Sequence, residues 1–152
     1  MDDKTFDVNE YVGKSMSVNE VVEEVEKDIS IFDESKGGVT LSGGEPLSQP
    51  EFLRELLIKF KSKEIHTAVD TCGFASQSVM ESIIPFTDLF LYDLKLADNE
   101  KNKKYTGVPN EIIFKNLDLI TNANKRIIVR IPLIQGITDT DKNLKSLREV
   151  IR

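Results

Sequence analysis

Four short runs rich in β-branched and aromatic residues recur along this sequence, each separated from the next by a segment with helical periodicity. They are VTLS (39–42), HTAVDT (66–71), DLFLYDLK (88–95) and RIIVRIPL (126–133). Their length and composition read as buried strands. No hairpin dipeptide lies between them, so the strands are expected to pair in parallel through right-handed helical crossovers. The spacing suits a slice of a βα barrel or an open doubly wound sheet.

The connecting segments supply the helices. Ser17 and Glu20 form a capping box ahead of one helical face made of Val18, Val21, Val22, Val25, Ile29 and Phe32. KGG at 36–38 is expected to stop that helix, with a glycine at its C-cap. Ser48 and Glu51 predict a second box, opening a helix that carries Phe52, Leu53, Leu56, Leu57 and Phe60. Further helices are expected over 78–84 (ended by Pro85), 98–105 and 110–123, and one after GITDTD that is still running at Arg152. Residues 1–16 are polar and irregular and read as a linker or tail, leaving 17–152 as the domain. The fold class is therefore α/β, with about four parallel strands and flanking helices.

Composition narrows the partners. A chain of 152 residues with 39% hydrophobic and 30% charged residues can build one soluble core. A net charge of −6 argues against a nucleic-acid or anionic-membrane surface. No apolar run reaches membrane-spanning length, and MDDKTFDVNE is no signal peptide, so a cytoplasmic location is expected. Cys72 is the only cysteine and His66 the only histidine, which excludes an internal disulfide and any metal site built from several such residues.

Both candidate architectures bind ligands at the C-terminal ends of parallel strands. Gly43, Gly44 and Glu45 follow the first run, Asp70, Thr71 and Cys72 close the second, Asp93 and Lys95 end the third, and Arg130 lies on the fourth. Ionisable residues gathered on one rim suit a charged, zwitterionic ligand. Each also has a plainer reading. The glycines permit positive φ in a turn, Glu45 is a solvated loop acid, Asp70 caps its loop, and Cys72 is a small packing residue. Asp93 and Lys95 share a strand face as an ion pair, and Arg130 pairs with either acid. His66 starts a strand and belongs at the opposite rim. Taken jointly, Glu45, Asp70 and Asp93 could hold a hard cation through oxygen ligands. Lys95 could form a Schiff base, as in aldolase-type barrels, and a non-catalytic binding module is the third class.

Five stretches resemble, in order, the core motifs of glycyl-radical-enzyme activases, which are radical S-adenosylmethionine (radical SAM) enzymes of the pyruvate formate-lyase-activating type. They are GGVTLSGGEPLSQPEFL, IHTAVDTCG, TDLFLYDLK, YTGVPNEIIFKNL and VRIPLIQGITD, spread over about residues 15–152. The resemblance implies a partial barrel of the radical SAM type. It also implies a 4Fe–4S cluster that binds S-adenosylmethionine, and a 5′-deoxyadenosyl radical that takes hydrogen from a glycine of a partner enzyme. By this resemblance Gly43, Gly44 and Glu45 meet the methionine amine. Asp70 and Asp93, with main-chain oxygens of Thr71 and Leu91, flank a monovalent cation. Lys95 neutralises the cofactor carboxylate, and Arg130 lies near the cofactor. Cys72 fills a variable position to which the family assigns no role. A flavodoxin or ferredoxin is the implied electron donor.

One departure limits this chain. The family holds its cluster with a CxxxCxxC loop, and one cysteine cannot replace three. The first strand, the cluster loop, the sixth strand and a late histidine of the family also have no counterpart. The expectation is an excised, inactive fragment with no iron–sulfur ligands. Its head is similar to the segment after a ferredoxin-like insert in some activases. Bare strand edges at 39–42 and 127–132 would then favour self-association.

Overall fold

The computed structural model describes residues 13–151. Residues 1–12, most of the expected linker, and Arg152 lie outside the described residues. Strands β1 (Gly38–Leu41), β2 (His66–Thr71), β3 (Leu89–Asp93) and β4 (Arg126–Arg130) form one parallel sheet in the order β1-β2-β3-β4. Helices α1 (Val18–Glu26), α2 (Ile29–Ser35), α3 (Pro50–Ser62), α4 (Gln77–Ile83), α5 (Asn99–Thr106), α6 (Glu111–Asn122) and α7 (Asp141–Val150) complete the α/β architecture.

Register explains which residues meet. Asp70 stands beside Leu91, which stands beside Ile128, and Asp93 stands beside Arg130. The alternate residues Val69, Phe90 and Tyr92 point the other way and are fully buried against Leu57, Met80, Ile83, Ile120 and Leu147 of the helices. Burying side chains of this size contributes about 1.5–3 kcal/mol each. A second cluster, of Val22, Leu56, Phe60 and Ile65, docks α1 on α3. The sheet thus has an apolar face under helices and a second face that carries Asp70, Asp93, Arg130 and the half-exposed Ile128.

Local chemistry moves several expected boundaries. The first helix is two helices, because Asp28 sits at φ −101°, ψ 6° between them. The capping box of Ser17 and Glu20 is formed. The left-handed cap before β1 is Lys36, at φ 55°, rather than a glycine. The box of Ser48 and Glu51 does not form. Ser48 ends a 3-10 turn at 46–48 and its hydroxyl donates to Glu45 O, so α3 starts at Pro50 without a side-chain cap. Strands β3 and β4 stop at Asp93 and Arg130, short of the expected Lys95 and Leu133, and α7 ends at Val150.

Candidate cofactor-binding site

The tips of β1 and β2 are joined through one carboxylate. After Ser42 the chain turns through Gly43 and Gly44 at φ 87° and 54°, values that strain any residue with a Cβ. No atom lies within 4 Å of a Cβ built at either glycine, so the turn opens onto free space. Glu45 then folds back. Its carboxylate accepts from Leu47 N at 3.1 Å, Thr71 Oγ1 at 2.6 Å and Cys72 N at 3.0 Å. Thr71 Oγ1 accepts in turn from Gly73 N at 2.9 Å. Glu45 is therefore a half-buried clamp rather than a solvated loop acid.

A second polar chain crosses the open face of the sheet. Arg130 Nε donates to Asp93 Oδ1 at 2.9 Å, and its Nη2 pairs with Asp70. Ser42 Oγ donates to Asp70 Oδ2 at 3.1 Å, which ties β1 into the same chain. The hydrogen bonds from Arg130 to Asp93 and then Asp70 raise the guanidinium's proton affinity further, so it is a fixed positive charge between two acids. Among the described residues, no group of three or more His, Cys, Asp or Glu is placed to hold a metal. The joint reading of Glu45, Asp70 and Asp93 as a hard-cation site is thus not supported by geometry.

Beside these chains lies a cavity of about 640 Å³, lined by Glu45, Cys72, Asp93 and Lys95 among apolar side chains such as Tyr105 and Phe114. Gly43, Gly44, Asp70, Thr71, Leu91 and Arg130 are outside its lining. Burial follows the alternation Asp93, Leu94, Lys95, Leu96, so Asp93 and Lys95 do share a face, but Asp93 pairs with Arg130. Among the described residues Lys95 makes no ion pair. Burial pushes the Cys72 thiol up, and its hydrogen bond with Glu45 adds to the effect, so it stays protonated near neutral pH. His66 is exposed at the start of β2, at the opposite rim.

Sequence reasoning missed the supports under these turns. Tyr92, held protonated by burial, donates to Ile113 O at 2.6 Å and packs on Gly73. Buried Asn116 donates from Nδ2 to Gly73 O at 2.8 Å and Ala75 O at 2.9 Å. An asparagine on the apolar face of EIIFKNLDLITN was the available signal.

The fold is a parallel βα half-barrel with charged and polar side chains gathered at the strand ends. Residues 5–147 match the model of the Radical SAM superfamily, and the chain belongs to that superfamily. It is 45% identical over 137 residues to the trans-4-hydroxy-L-proline dehydratase activating enzyme of Clostridioides difficile, covering 90% of this chain and 45% of that protein. It is 40% identical over 141 residues to the choline trimethylamine-lyase activating enzyme of Oleidesulfovibrio alaskensis, covering 93% and 46%. The chain spans about half the length of these curated relatives. A domain of pyruvate-formate lyase-activating enzyme from Bacteroides vulgatus superposes with TM-score 0.69 at 39% identity, covering 75% of this chain and 71% of that one. Streptococcus suis SuiB bound to S-adenosylmethionine shares the fold, with TM-score 0.72 at 16% identity over 93% of this chain and 32% of that one.

The superfamily implies S-adenosylmethionine and a 4Fe–4S cluster. The residues present fit the first: the Gly43–Gly44 turn opens onto free space, and Lys95, which makes no ion pair among the described residues, lines the neighbouring cavity. It does not fit the second, since a cluster needs several thiolates and this sequence has one. No helix among the described residues is long and apolar enough to cross a membrane.

Proposed function

We propose that this chain forms the amine- and carboxylate-binding half of an S-adenosylmethionine pocket in an activase for a glycyl radical enzyme. The observation that carries the reading is the open Gly43–Gly44 turn, locked to the tip of β2 by Glu45. Carbonyls at this tip accept the cofactor ammonium, and Lys95, which lines the cavity beside it, balances the carboxylate. In an enzyme that also carries the cluster, one electron passed to the bound sulfonium would release a 5′-deoxyadenosyl radical that takes hydrogen from a glycine of a partner protein. This chain's residues bind and orient the methionine end. A flavodoxin or ferredoxin is the proposed electron donor to the cluster-bearing enzyme.

A monovalent cation between Asp70 and Asp93, with main-chain oxygens of Thr71 and Leu91, belongs to the same proposal. It would compete with Arg130 for the two carboxylates. Self-association through an outer edge of β1 or β4 is a further part, supported by the strand order β1-β2-β3-β4, in which each of these two strands has one strand neighbour among the described residues. A strictly monomeric species in concentrated light scattering would remove that part.

Anaerobic reconstitution with iron and sulfide is expected to give no 4Fe–4S absorbance, with weak S-adenosylmethionine binding that Lys95→Met weakens further by a measurable factor. A stoichiometric cluster signal would overturn the assignment of an inactive half-site. Borohydride trapping of a small carbonyl compound on Lys95 would instead favour an aldolase-type reaction.

A further inference from the structure

Lys95 lies beyond the end of its strand, so something other than the sheet must hold it. The last ladder bond of β3 runs from Leu94 N to Arg130 O, at 2.9 Å. From there every carbonyl of residues 95–97 is taken by an asparagine side chain. Asn143 Nδ2 donates to Lys95 O at 3.0 Å. Asn110 Nδ2 donates to Leu96 O at 2.9 Å and Ala97 O at 3.0 Å. Ala97 N donates back to Asn143 Oδ1 at 2.9 Å.

Asn143 does more than close this segment. Its Nδ2 also donates to Thr138 O at 2.9 Å, in the loop that follows β4. One buried amide, 7% exposed, thereby joins the loops after two neighbouring strands. Its position in α7 makes the choice informative. Thr140 caps the helix and accepts from Asn143 N at 3.3 Å, which puts Asn143 where a capping-box side chain would fold back. The side chain reaches across to the Lys95 loop instead. A buried amide is costly unless its donors and acceptor are all met, and here all three contacts go to the two loops.

We propose that Asn143 is a positioning residue for cofactor binding: it sets the backbone of Lys95 so that the ammonium meets the cavity, and it locks the loop after β3 to the loop after β4. The inference rests on Lys95 as the carboxylate-binding cation, and the two are separable. In this chain, Asn143→Ala removes all three contacts while leaving a strong helix former in α7. The first readout is amide exchange. The Ala97 amide is expected to exchange at least tenfold faster relative to that of Val69 in the core, and an unchanged ratio overturns the clamp.

The second readout is a double-mutant cycle of S-adenosylmethionine affinity over wild type, Lys95→Met, Asn143→Ala and the pair. Asn143→Ala is expected to weaken binding at least fivefold, with the double variant no weaker than Lys95→Met alone. Losses that multiply in the double variant, or an Asn143→Ala protein that binds as wild type, overturn the positioning role. If Lys95→Met changes nothing, or wild type does not bind, the Lys95 reading fails and amide exchange alone decides the clamp. Should Asn143→Ala not fold, Asn143→Asp carries the same cycle. It keeps the volume, loses both donors, and places its charge in the first turn of α7, where the helix dipole favours it.

Discussion

Gly73→Ala is the sharpest probe of how the site is held. A Cβ on Gly73 would lie 1.7 Å from the Tyr92 hydroxyl oxygen and 2.2 Å from Cζ. The backbone there has φ 72°, where a side chain is already strained. Tyr92 cannot simply swing away. It is fully buried and anchored to Ile113 O at 2.6 Å. Overpacking of this kind costs about 1–3 kcal/mol, and the left-handed backbone adds about 1 kcal/mol. The expected loss is therefore about 2–4 kcal/mol, or roughly 4–16 °C in Tm for a chain of this size. Urea denaturation followed by circular dichroism measures it. Adding Tyr92→Phe should recover only part of the loss, because the ring carbons still clash and Ile113 O loses its donor. A Gly73→Ala protein within about 0.5 kcal/mol of wild type would refute the packing argument.

Two further outcomes test the same turn. Glu45→Ala strips the acceptor from Leu47 N, Thr71 Oγ1 and Cys72 N and should cost about 2–3 kcal/mol in urea denaturation, while Glu45→Gln, whose one oxygen can keep Leu47 N and Thr71 Oγ1 but whose NH2 then faces the Cys72 N–H, should cost less than Glu45→Ala. Equal losses would show that the two contacts to Oε1 do not hold the tips together. Cys72, its thiol pushed up by burial, should react with iodoacetamide more slowly than free cysteine at pH 7.5, with the rate still climbing above the ordinary thiol range. A rate matching free cysteine would contradict the half-buried placement.

The strand and helix order was legible because each βα unit carries its own apolar pattern. β2 falls at its expected limits, since HTAVDT has buried Thr67, Val69 and Thr71 on one side. The break at Lys27–Asp28 was hidden because the apolar stripe of Val25, Ile29 and Phe32 continues across it. The extra length expected of β3 was hidden for another reason: buried Leu94 and Leu96 keep strand alternation after the ladder has given way to asparagine amides. At the site, strand ends pointed to the charged residues of the rim. Who pairs with whom depends on register, which sets Asp93 beside Arg130 and is invisible in one dimension. Asn116 stands on the apolar face of its helix and so left a trace in the sequence, whereas the bracing by Asn110 and Asn143 depends on tertiary contacts that no periodicity marks.

The order of the strands in space is also their order along the chain, and this has a kinetic meaning. Each pairing closes a modest loop, so the sheet can grow one unit at a time at low entropic cost. Arg130 lies 37 residues after Asp93 and 60 after Asp70 along the chain. Were β4 to dock after the other three strands, the two carboxylates would lie side by side without their shared cation until it did, and their repulsion would favour its arrival.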